Sequence, residues 1–225
     1  MAGGTAMAGS EFDRLERELT AALNGYDWTR CDAISEQIVE RIQSDPVVMM
    51  EAQARRIMQK LRRKRRFASM ALIAESLIQS GLQTAQVRRQ YGQALIDQGM
   101  LTAAVSVLKE LMADPTTNAT EQAEARGLTG RIYKQLYVNE AGKAQPARAK
   151  ANLQRAFDSY LSVFNLDTQQ VWHGINVVAL LARAMRFLGQ PVPEEAAGLS
   201  LHDFWTWARA HWSMAAVPRC RALVG

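Results

Sequence analysis

Residues 85–115 read AQVRRQYGQALIDQGMLTAAVSVLKELMADP. Apolar side chains recur there at spacings of three and four on both sides of Gly99, the period of two amphipathic helices broken by a turn. In the first helix Tyr91-Gly92 sets a large residue beside a small one; in the second, Ala104 is small where the helices should cross, and Leu108 and Leu111 supply core-facing bulk. Gly92 and Ala104 would let two backbones approach closely, so the segment predicts an antiparallel helix pair. A shift of 34 residues toward the N-terminus places Ile57-Met58, Phe67, Met70, Ala74 and Leu77 on equivalent positions, with Met58 and Met70 replacing the small residues. A third pair follows the same grammar at 12–43, with Leu15, Leu19 and Leu23 on one helix, Ile34, Ile38 and Ile42 on the next, and Gly25-Tyr26-Asp27 as the turn.

This period and this placing of large and small residues resemble the tetratricopeptide repeat. Stacked pairs cannot bury their apolar faces one unit at a time, so neighbours must pack together and leave a concave face. The expected fold is all-α, a right-handed superhelix of antiparallel helix pairs. Its helices fall at about 12–24, 27–43, 46–64, 66–80, 84–98, 101–113, 118–137, 147–165, 168–188 and 200–214. Gly25, Gly81, Gly99 and Gly189 stand where helical patterns stop, as glycine does in the left-handed position after a helix.

Composition removes several alternatives. The chain has 225 residues, 48% hydrophobic and 22% charged with six prolines, which fits neither a disordered nor a collagen-like class. The longest apolar run, Val177 to Ala182, is six residues, far below the roughly 18 that span a bilayer. Cys31 and Cys220 lie far apart, so neither a disulfide framework nor a metal knuckle is read, and a reducing compartment is expected. Residues 1–12 are small and patternless, and Gly9-Ser10-Glu11-Phe12 is what two adjacent cloning sites would encode. Set aside as a cloning scar, they leave no secretion signal, and the expected compartment is the cytoplasm.

Past Asp114 the spacing changes. Asn118 and Glu121 can form a capping box on a long helix carrying GLTGRIYKQLY, residues 127–137. A polar loop at 138–145 follows, then AFDSYLSVFNLD at 156–167 and QVWHGINVVALL at 170–181. The order Gly130-Arg131-Ile132-Tyr133-Lys134, then Tyr160 and Phe164, then Trp172 before Gly174-Ile175-Asn176, resembles the TRAF-binding-domain family. That family includes the central regulatory region of apoptosis-signal-regulating kinases and bacterial relatives. The resemblance covers about 115–190 and implies an α-helical scaffold that holds partners or senses a state within a larger signalling protein, with the effector domain elsewhere in the full-length chain and no catalysis.

Two residue sets bear on binding. Arg131 and Lys134 are three apart on one helix face, and His173 and Asn176 are three apart on a later helix. If these faces meet, they form a small polar pocket suited to an anion such as a nucleotide. The structural alternative pairs Arg131 and Lys134 with Asp158 or Asp167 to lock helices together. The second set is Lys60, Arg62, Arg63, Lys64, Arg65 and Arg66, six cations in seven residues, in a chain whose 27 basic and 22 acidic residues give +5 overall. Phe67 is its one aromatic neighbour in sequence, so it reads as a solvated repeat edge or a docking point for an acidic protein, with nucleic acid disfavoured. The histidines His173, His202 and His211 have no metal-ligand spacing and the Gly127/Gly130 pair no phosphate loop, so no metal, cofactor or enzyme chemistry is expected.

The expected organisation is a scar at 1–12, tetratricopeptide-like repeats at 13–115, TRAF-binding-domain-like helices at 116–190, and a further partial repeat or capping helix at 191–225. The expected function is a non-catalytic scaffold for protein–protein interaction, or else a sensor of a small anion.

Overall fold

The structure is a computed structural model and describes residues 3–44, 49, 51–141, 146–167, 169 and 171–187. Among the described residues there are nine α-helices and no strand. They are α1 (Gly3–Asn24), α2 (Trp28–Ser44), α3 (Glu51–Arg63), α4 (Phe67–Gln79), α5 (Ala85–Asp97), α6 (Leu101–Ala113), α7 (Ala119–Ala141), α8 (Pro146–Leu166) and α9 (Val171–Phe187). The helix predicted at 200–214 and the segment 191–225 lie outside the described residues. No described helix is long and apolar enough to cross a membrane.

The chain divides into two compact units, Met1–Ala125 and Arg126–Gly225, and the division falls inside α7. The first contains the repeats. Within pairs, α1 packs on α2, α3 on α4 and α5 on α6; between pairs, α1 meets α3, α2 meets α4, and α5 meets both α3 and α4. This is helix-pair packing of the tetratricopeptide-like solenoid kind. Leu15, Leu19, Ile38, Ile57, Met58, Met70 and Ile73 are almost fully buried along it, so the two methionines fill crossings that small residues occupy elsewhere.

The three turns inside the pairs are copies of one another. The Asp27 N–H donates to the Ala22 carbonyl (3.0 Å), Arg66 to Leu61 (2.9 Å) and Met100 to Leu95 (2.9 Å), each closing the same six-residue helix end. The residue before each donor has positive φ: Tyr26 at 56°, Arg65 at 57° and Gly99 at 79°. Only Gly99 does so without a side-chain penalty. The left-handed position after α1 therefore belongs to Tyr26 and not to Gly25. Gly81 takes it after α4, as the sequence predicts, at 95°.

Three further expectations are corrected. Phe12 is fully buried and the Glu11 carboxylate accepts from Arg41 at 2.9 Å, so these two residues belong to the packed α1 face and not to an excluded leader. The loop placed at 138–145 starts late, because α7 continues to Ala141. Gly92 makes room for a side chain and not for the Ala104 backbone: a Cβ there would sit 2.9 Å from Leu108 Cδ2. Ala104 is itself fully buried. Ala104→Leu should therefore overpack the α5–α6 pair and cost about 1–3 kcal/mol, read from the midpoint of chemical denaturation.

Candidate functional site

In the second unit α7 carries two glycines one turn apart, and rings from the neighbouring helices fill the space each leaves. A Cβ on Gly130 would lie 2.8–3.0 Å from three ring atoms of Tyr160. One on Gly127 would lie 2.7 Å from His173 Nε2 and 3.3 Å from Trp172. Gly174 of α9 likewise receives the Phe164 ring of α8, 2.8 Å from its missing Cβ. Glycine is thus the residue that brings α7, α8 and α9 close enough for their polar groups to meet.

Tyr160 lies at the centre. It is fully buried, edge-on to Trp172 (centroids 5.5 Å apart, planes at 74°) and tilted against His173 at 6.0 Å. Its hydroxyl is buried and makes no hydrogen bond among the described residues. Burial pushes this phenol up to about 12, against the pull of the Arg131 cation.

Lys134 Nζ donates to Asn176 Oδ1 at 3.0 Å and lies 6.0 Å from the Tyr160 ring centroid. The Asn176 amide is held by its own Nδ2–H, which donates to the Trp172 carbonyl at 2.9 Å. Burial first, and then the neighbouring Arg131 cation, hold the Lys134 ammonium below the ordinary lysine value. Of the four residues singled out from sequence, Lys134 and Asn176 are in direct contact and Arg131 is their electrostatic neighbour. His173 packs one layer deeper, 4% exposed, among Gly127, Tyr160 and Trp172. Tyr160 belongs with them through its contacts with Trp172, His173 and Lys134, which no spacing within one helix reveals. The first half of α9 also exposes Val171 (53%), Trp172 (54%) and Ile175 (50%) beside this polar group.

The basic run in the first unit is not one patch. Lys60 donates to Glu16 (2.7 Å) and Thr20 (2.8 Å), and Arg56 grips the same Glu16 with two nitrogens. Burial alone would raise the Glu16 carboxyl, but the hydrogen bonds from Arg56 and Lys60 outweigh it and the net direction is down. An open depression of about 450 Å³ here, lined by Asp13, Glu16, Arg17, Thr20, Arg56 and Lys60, has its buried carboxylate already answered by two cations. At the other end of the run Arg66 reaches both oxygens of Asp32 at 2.6 Å, and the Ser69 hydroxyl donates to the same carboxylate. Arg62, Arg63 and Arg65 are exposed.

The capping box at 118–121 forms by half. The Glu121 N–H donates to Asn118 Oδ1 at 2.9 Å, but the Glu121 carboxylate turns to Arg89 of α5, 2.5 Å away. Nearby, Arg88 pairs with Asp114, and the bonds from Arg88 and Thr116 hold that carboxyl down at about 2. Among the described residues no group of three or more acidic, histidine or cysteine side chains could hold a metal ion.

Paired helices closed by one repeated turn define a helical-repeat module. The Tetratricopeptide Repeats-Sensor family model matches residues 66–181, just over half of the chain, and the chain belongs to that family. A stretch of 41 residues is 56% identical to the Glutamyl-Q tRNA(Asp) synthetase of Dechloromonas aromatica (strain RCB), covering 18% of this chain and only 14% of that protein. No solved structure matches the chain.

Proposed function

We propose that the chain is the non-catalytic regulatory module of a larger cytoplasmic signalling protein and that it senses a small anion, such as a nucleotide, on the α7–α9 face of the second unit. The observation that carries this reading is Lys134. Its ammonium is partly buried, stands beside a second cation and is bonded to a neutral amide. A cation kept in that state is destabilising in the free protein and becomes favourable when an anion arrives. The buried Tyr160 hydroxyl, which has no hydrogen-bond partner among the described residues, offers a further donor. The likeness of the three stretches to the TRAF-binding-domain family supports the place in a signalling protein. The exposed Val171, Trp172 and Ile175 support a second role for the same face, docking of a protein partner that reads whether the site is filled.

The test is a melting series with ATP, ADP and pyrophosphate on wild type and Lys134→Gln. Wild type should be stabilised in proportion to the logarithm of ligand concentration. The variant should melt no lower than wild type when free and lose the ligand response. Because the folded value of Lys134 lies below 10.5, the unfolded chain binds more protons between that folded value and 10.5. Wild-type stability should therefore gain a component as pH rises through that window, and Lys134→Gln should lack it. A variant that melts lower than wild type, with no ligand shift in either protein, would return the site to a structural role.

A further inference from the structure

The turns of the first two repeats meet at one edge of the first unit, and there the basic run acquires aromatic partners that lie far from it in sequence. Tyr26, 65% exposed, stands edge-on to Trp28, 36% exposed, with ring centroids 5.6 Å apart. Lys64 Nζ sits 4.2 Å from the Tyr26 ring centroid, and the Arg66 guanidinium 5.2 Å from that of Trp28. Arg66 is neutralised by Asp32, whereas Arg62, Arg63 and Arg65 make no ion pair among the described residues. The edge thus presents two exposed rings, each with a cation against it, beside three exposed arginines.

Its backbone is held at a cost. Tyr26 and Arg65 both occupy the left-handed region, the position that Gly99 fills in the third copy of the turn. A bulky aromatic and a cation, both exposed, stand where glycine would fold more easily.

We infer that this edge is a binding site for single-stranded nucleic acid. Arginines answer the phosphates, and exposed rings offer a surface to unpaired bases, the pairing of features that sequence-tolerant single-strand sites use. Charge alone would suffice for an acidic peptide, which would make no use of the exposed area of the two rings. Duplex hides the base faces that the rings would meet. This inference concerns the first unit and stands apart from the anion site on α7 and α9.

Fluorescence anisotropy with labelled oligo(dT) and oligo(rU) of about twelve nucleotides tests it, with a hairpin duplex and polyglutamate as competitors. Wild type should bind the single strands, and log K should fall against log salt with a slope of about −2, as three phosphate contacts imply. Tyr26→Gly is the informative variant, because it removes the ring while giving the turn its preferred residue. It should melt no lower than wild type and lose roughly tenfold in affinity. Arg65→Gly, by the same reasoning, should fold normally and reduce the salt slope by about one-third. The inference is overturned if the single strands do not bind, if duplex or polyglutamate competes as well as they do, or if Tyr26→Gly binds like wild type.

Discussion

Glu121→Ala is expected to lower the stability of the first unit by about 3–5 kcal/mol, the largest loss from any single charged residue in it. Arg89 is 9% exposed, and its pair with Glu121 leaves side-chain exposures of only 11% and 15%. Removing the carboxylate strands a guanidinium in a site with little water, and it unties α5 from the start of α7. Replacing both partners together, as Arg89→Met with Glu121→Leu, removes the stranded charge as well as the pair. The double variant should recover most of the loss. Denaturant midpoints of Arg89→Met, Glu121→Leu and the double variant check this. Additive losses would mean that the two groups act independently.

At Tyr160 two substitutions should move stability in opposite directions. Tyr160→Ala removes a fully buried ring on which α7, α8 and α9 converge, and should cost about 3–5 kcal/mol as an unfilled cavity. Tyr160→Phe keeps the ring and removes a buried hydroxyl that has no hydrogen-bond partner among the described residues. It should stabilise the free protein by about 1–2 kcal/mol. If the hydroxyl serves an anion, the same phenylalanine variant should weaken the ATP response seen in the melting series. A destabilised Tyr160→Phe would mean that the hydroxyl is already satisfied in the free protein.

Much of this was legible in the sequence because helix ends obey local rules. The three-and-four spacing placed α2 and α4 to α9 within a few residues of their observed limits. Where sequence pattern and structure differ, the competing physics is non-local. Gly25 looked like the helix stop, yet Asp27 closes the same six-residue end as in the other repeats, and that register put Tyr26 in the left-handed position. Asn118 and Glu121 have the spacing of a capping box, but Arg89 of α5, two helices back, binds the Glu121 carboxylate.

The basic run shows the same limit more sharply. Lys60 and Arg66 found carboxylates at Glu16 and Asp32, on the preceding helix pair, and Tyr26 and Trp28 came from that pair as well. No spacing rule within residues 60–66 could have shown which cations were already paired. In the second unit, by contrast, the spacing of Arg131 with Lys134 and of His173 with Asn176 did bring Lys134 to Asn176. What spacing missed was Tyr160, since a buried phenol on a third helix reads in sequence as ordinary core.

The most direct test of the proposed sensor is a two-dimensional NMR titration of the ¹⁵N-labelled protein with ATP. The site predicts saturable shifts of the Trp172 indole N–H and the Asn176 side-chain amide, with backbone changes along α7 and α9, all absent in Lys134→Gln. Resonances that stay still at high ATP, or that move only around Tyr26 and Arg62 to Arg66, would contradict a sensor on the α7–α9 face.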